Sequence, residues 1–139
     1  MANDHIGPGR LQEKGIARYA FAGKATLTVR ANDQRFTYRI TESEDGKLYF
    51  VNVLRNDGRY DYIGIVVKAQ RTFRWTQGSK ISQDAPSVQA FATLFRRFFS
   101  RNYDGIEVWH EGTCGRCGRQ LTVPESIETG IGPVCAGRM

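Results

Sequence analysis

Three cysteines and one histidine, His110, Cys114, Cys117 and Cys135, carry the clearest chemistry in this chain. Cys-x-x-Cys presents two sulfurs to one ion from a single short turn, and a third sulfur with a histidine completes the four-donor set of structural zinc. Gly115 and Gly118 stand where the knuckle needs backbone freedom, and its amides can point at the thiolates. Cys135 follows Gly130-Ile131-Gly132-Pro133-Val134, in which Pro133 suits a first helical turn, so this sulfur is expected at the start of a short helix. A knuckle plus a ligand on a helix start is a treble-clef-like layout. His110 ends an apolar stretch, Ile106, Val108 and Trp109, that reads as a strand, and from the strand end it could reach the ion. The competing fourth donors are an acidic side chain such as Glu111, or water in an open site.

Other uses of these cysteines fit less well. An odd count without a signal peptide argues against an oxidised framework. A redox pair requires a long helix after the second cysteine, and Gly118, Arg119 and Gln120 do not open one. Zinc-dependent base deaminases use His-x-Glu with cysteines on a later helix, whereas His110 and Glu111 are adjacent and the knuckle follows at once. No phosphate loop or nucleophile elbow is present, so the expectation is a binding protein with one structural zinc ion and no catalytic residues.

The elements that must position this site divide the chain into a flexible leader (1–22), an antiparallel sheet plus helix (23–105) and a zinc-binding module (106–139). From Lys24 the apolar positions alternate: Ala25, Leu27 and Val29, then after the Asn32-Asp33 turn Phe36, Tyr38 and Ile40. Leu48 to Leu54, Tyr60 to Val67 and Thr72 to Thr76 extend the pattern, which predicts a meander of about five strands. The period changes at Asp84, the expected helix cap, and Val88, Phe91, Leu94, Phe95, Phe98 and Phe99 form an apolar stripe up to about Arg101. Thr122 and Glu125 have capping-box spacing before a short helix that Gly130 would stop. The fold class is therefore α+β: an antiparallel meander covered by one amphipathic helix, followed by a small treble-clef-like module.

The net charge is +6. Its excess lies between Lys68 and Arg101, where Lys68, Arg71, Arg74, Lys80, Arg96, Arg97 and Arg101 face Asp84 alone. Arg116 and Arg119 add cations beside the metal, and Trp75 adds an aromatic. Such a surface suits phosphate contact and base stacking, or an acidic protein partner, and charge by itself does not separate the two. The paired-aromatic signature of an RNA-recognition strand is missing, so no base specificity is expected. The absence of a targeting segment or membrane-length apolar run predicts a cytoplasmic protein, with no membrane or small-molecule partner.

The run Glu107-Val108-Trp109-His110-Glu111-Gly112, Cys114-Gly115-Arg116-Cys117-Gly118-Arg119, Leu121-Thr122, Pro124, Ser126-Ile127, Gly130-Ile131-Gly132-Pro133 and Cys135 resembles the C-terminal zinc module of an uncharacterised family of bacteriophages and actinobacteria. The resemblance implies a small phage-type accessory protein of the host cytoplasm. Such a protein would handle nucleic acid or inhibit a host machine of defence or transcription. The family brings no activity with it.

Overall fold

Alternating apolar residues need a common face to bury, and pairing in register provides it. The computed structural model describes residues 9–121, 124–132, 135 and 136. Strands β1 (Lys24–Ala31), β2 (Gln34–Glu42), β3 (Leu48–Leu54), β4 (Tyr60–Val67) and β5 (Thr72–Trp75) follow one another as antiparallel hairpins. Ala25, Leu27 and Val29 pair with Ile40, Tyr38 and Phe36, so both strands place these residues on one face. The β1–β2 turn is two residues long, and Asn32 takes the left-handed conformation (φ 55°) that asparagine tolerates. A bulge opposite Val51 and Asn52 inserts Ile63 into β4 and turns its side chain into the core.

The sheet has six strands, one more than the meander expected. Strand β6 (Ile106–His110) pairs with β1, giving the order β5-β4-β3-β2-β1-β6. The chain leaves the sheet at one edge and re-enters at the other, so a connection must cross the whole inner face. Helix α2 (Pro86–Ser100) provides it: its fifteen residues span about 22 Å, against roughly 24 Å for five strand spacings. Its apolar stripe, Val88, Phe91, Leu94, Phe95 and Phe98, is buried. Phe91 packs edge-on against Tyr38 (5.0 Å between centroids) and Phe73 (4.8 Å), and Phe98 against Phe21 (5.0 Å). Each such aromatic pair contributes about 1 kcal/mol beyond its buried area.

Two local expectations are corrected. Asp84 does not cap α2; Ala85 occupies the cap position without a side-chain bond, Pro86 opens the helix, and the Asp84 amide instead donates to Ser82 Oγ at 3.2 Å. The segment 1–22 is not a flexible leader throughout. Residues 9–11 run beside β6, with the Leu11 amide bonded to the Val108 carbonyl and the His110 amide to the Gly9 carbonyl, each at 2.9 Å. Helix α1 (Glu13–Ala20) then buries Ile16, Tyr19 and Ala20. Its helical signal is confined to those three positions in eight residues, too short to stand out among glycines and charges. Residues 1–8 lie outside the described part of the chain.

The helices α1 and α2 cover the same face of the sheet. Among the described residues no helix is long and apolar enough to cross a membrane.

Candidate metal centre

Beyond β6 the chain forms a small hairpin, with Thr113 bridged to Gln120 and the Leu121 amide bonded to the Gly112 carbonyl at 2.9 Å. The two cysteines occupy its turn: the Cys114 amide donates to the Arg119 carbonyl (2.8 Å), and the Gly118 amide to the Cys114 carbonyl (2.9 Å). Two backbone bonds fix this knuckle on the fold. The Lys24 amide donates to the Gly115 carbonyl at 2.6 Å, anchoring it to the start of β1. The Gly115 amide donates to the Gly130 carbonyl at 2.8 Å, just after helix α3 (Pro124–Thr129). The third sulfur comes from Cys135 in a helical turn held by the Ala136 amide on the Gly132 carbonyl at 2.8 Å. The expected capping box at Thr122 and the role of Pro133 fall outside the described residues.

This architecture brings the sulfurs of Cys114, Cys117 and Cys135 within 4.8 Å of one another, with no disulfide between them. The donor set fits a metal ion. Tetrahedral zinc with sulfur at about 2.3 Å separates its ligands by roughly 3.8 Å, which that spacing accommodates. Cys114 is fully buried, and burial alone would hold its thiol protonated. The backbone amides of Gly132, Cys117 and Arg116 outweigh that and bring it down to about 7. Gly132 N lies 3.2 Å and Arg116 N 3.4 Å from its sulfur. Cys135 is driven the other way, to about 11, by desolvation and by the neighbouring sulfurs. Three crowded thiols cannot all ionise without a compensating cation, and a divalent ion supplies one.

His110, the expected fourth donor, stands outside the group of sulfurs that the described residues bring together. The β1–β6 register puts its side chain on the covered face, 5% exposed. Its Nδ1 accepts the Gly112 amide at 3.0 Å, so the ring proton sits on Nε2, which meets the Ile127 carbonyl. Both nitrogens are thus engaged, Nε2 in joining α3 to β6 and Nδ1 in the turn that follows β6, and the ring lies 5.8 Å from that of Tyr19. Glu111, the alternative donor, faces the opposite side of the sheet, where its carboxylate accepts the Thr28 hydroxyl at 2.5 Å. Among the described residues the cluster comprises the three cysteines only.

The basic residues singled out in the sequence do not share one surface. Lys68 pairs with the Glu42 carboxylate and lies over the Tyr49 ring at 4.6 Å. Arg71 sits in the β4–β5 turn (φ 52°), and Arg74 projects from β5 on the uncovered sheet face, bonded to Gln70 at 2.9 Å. Lys80 is exposed in the following loop. Arg96, bonded to Thr93 at 3.2 Å, Arg97, bonded to the Asn102 carbonyl at 2.8 Å, and Arg101 lie on or just after α2, across the molecule from Arg74. Arg116 and Arg119 are exposed on the knuckle. Trp75 is not a free stacking surface. Its strand position turns it toward the core, and its indole N–H donates to the Ile81 carbonyl at 2.8 Å.

Arg35 and Arg39, outside the basic segment, are also exposed on β2, and the Arg39 guanidinium lies 3.9 Å from the centre of the Tyr60 ring. Their signal was present as the polar phase of the β2 alternation, Arg35, Thr37 and Arg39, hidden by a charge balance that cancelled them against acidic residues elsewhere.

No curated protein and no solved structure matches the chain. Residues 109–139, which carry the knuckle, α3 and Cys135, match the model of a family of unknown function, DUF6011.

Proposed function

We propose that this is a zinc-binding protein of phage type that acts by binding nucleic acid, with the metal as a structural staple. The observation that carries the metal assignment is the convergence of three cysteine sulfurs within 4.8 Å. Zinc would be held by Cys114, Cys117 and Cys135, joining the knuckle to the last helical turn. Three thiolates more than neutralise the ion, which weakens it as a Lewis acid toward any water in the fourth position, and this favours a staple over an active site. The nucleic-acid reading rests on the +6 charge and on arginines that project from strands and helix, among them Arg39, over the Tyr60 ring, and Arg74, bonded to Gln70.

Metal analysis and a nuclease-treated pull-down on one preparation test both parts. One zinc ion per chain is expected. Oligonucleotide affinity should fall steeply with salt, by about 0.7 in the log–log slope for each phosphate contacted on a single strand. A zinc-loaded protein that retains no nucleic acid at low salt, yet captures a defined host protein after nuclease treatment, would instead make it an inhibitor or modulator of that protein.

A further inference from the structure

We propose that the uncovered face of the sheet is a platform for single-stranded nucleic acid, on which unpaired bases stack on Phe50 and on the Arg39–Tyr60 pair while Lys24 and Arg74 meet phosphates. This rests on the nucleic-acid reading above and assigns it a surface and a ligand form.

Register alone determines what this face displays. One row runs Lys24, Thr41, Phe50, Ile65, Arg74 across five strands, a cation at each end and a phenylalanine at its centre. The next row is Thr26, Arg39, Asn52 and Tyr62. Phe50 is 40% exposed and Leu54 38%, although both belong to a central strand. The helices account for neither, because they pack on the residues of opposite parity, α2 through Phe91 on Tyr38 and Phe73, and α1 through Tyr19 beside His110. A flat apolar patch flanked by cations, with amide and hydroxyl groups at Asn52 and Thr41, complements a ligand with planar faces and a polyanionic edge. The Arg39 guanidinium already stacks on Tyr60 at 3.9 Å, and its outer plane can receive a base.

The carboxylates that β6 and the residue after it bring to this face are turned to other tasks. Glu111 accepts the Thr28 hydroxyl, and Glu107 accepts the Trp109 indole N–H at 3.2 Å. Both lie at the β1–β6 end, away from the Phe50 row. Charge also argues against a second copy packed face to face, since Lys24, Arg39 and Arg74 would meet their own equivalents.

Single strands fit better than a duplex. The sheet is roughly 24 Å wide by strand spacing, about twice the width of the major groove, so a duplex could offer it only phosphates. Stacking on Phe50 requires bases that are not already paired.

The test is fluorescence anisotropy on the full-length zinc-loaded chain, with one short labelled oligonucleotide as single-stranded DNA, as single-stranded RNA and as a duplex. Single strands of either sugar should bind more tightly than the duplex. Phe50→Ala and Arg39→Ala should each weaken single-strand binding by about ten-fold, whereas Arg96→Ala with Arg97→Ala should change it less than about two-fold. Phe50→Trp should retain affinity, and its tryptophan emission should be quenched on binding, a signature that a general charge effect would not produce. If the α2 pair abolishes binding and Phe50→Ala does not, nucleic acid remains the ligand and the sheet face is overturned. Equal affinity for the duplex, or a wild-type dimer that Phe50→Ala converts to monomer, also overturns it. Absence of any nucleic-acid binding at low salt overturns both readings together.

Discussion

Tyr19 holds Thr26 at both of its backbone groups: its hydroxyl accepts the Thr26 amide at 3.1 Å and donates to the Thr26 carbonyl at 2.9 Å. The β6 register ends opposite Leu27; beyond it the Glu111 amide still reaches the Thr26 carbonyl at 3.2 Å, and the Thr26 amide is taken by a side chain from α1. The same ring is the floor of the cysteine module. A Cβ on Gly115 would lie 2.7 Å from it, and one on Gly130, 2.5 Å. Helix, sheet edge and metal knuckle therefore meet on a single phenol.

Gly115→Ala and Gly130→Ala should both destabilise the protein. Gly130 carries an additional cost, because its φ of 76° disfavours a side chain. Overpacking of this kind costs about 1 to 3 kcal/mol, a loss of roughly 5 to 10 °C in Tm. Thermal melts of the zinc-loaded variants check this; an unchanged Gly130→Ala melt would contradict the tight contact with Tyr19.

Cys114→Ala and Cys117→Ser should lower bound metal well below one ion per chain. His110→Ala should leave the metal content intact while costing about 2 kcal/mol, since it strands the Gly112 amide and the Ile127 carbonyl. Plasma mass spectrometry beside denaturant melts separates the two effects. Metal lost from a folded His110→Ala protein would restore the histidine as ligand.

Stability should fall above pH 10. Burial pushes the Tyr19 hydroxyl from 10.0 to about 12, and burial also raises Tyr38. The folded protein keeps these protons to higher pH than the unfolded chain does. The Tyr19 contribution is therefore complete below pH 10 and is lost as pH rises through about 12, a change of roughly 2 to 3 kcal/mol, and burial of Tyr38 acts in the same direction. Urea midpoints against pH should drop less steeply in Tyr19→Phe than in the wild type, although that variant starts lower at pH 8 for lack of its hydrogen bonds.

Gly64→Ala should detach the edge strand. Its Cβ would run into the Arg74 carbonyl oxygen and stand 3.0 Å from Phe73 Cε1, so β5 must move or the core must open. The expected cost is about 2 kcal/mol, with hydrogen exchange of the β5 amides rising first. Protection there equal to wild type would show that the strand accommodates the methyl.

Five strands, the amphipathic helix and the cysteine cluster were legible in the order of residues, because each is written in local period or spacing. The alternation of Ala25, Leu27 and Val29 needs no distant partner to be recognised, and two cysteines three positions apart converge through one turn. The site of β6 was not legible in the same way. Ile106–His110 reads as a strand from its own residues, but its place beside β1 rather than β5 depends on how far α2 reaches across the sheet.

The roles of single side chains divided along the same line. Sequence determined that Cys114, Cys117 and Cys135 would meet, since a knuckle and a helix start leave their sulfurs few other places. Only the tertiary structure decided that His110 would join α3 to β6, that Trp75 would close a loop, and that Phe50 and Arg39 would share an open face. Spacing along the chain specifies which groups lie near one another locally. Which carbonyl a histidine meets, and which face of a strand remains uncovered, is decided by partners that arrive from tens of residues away.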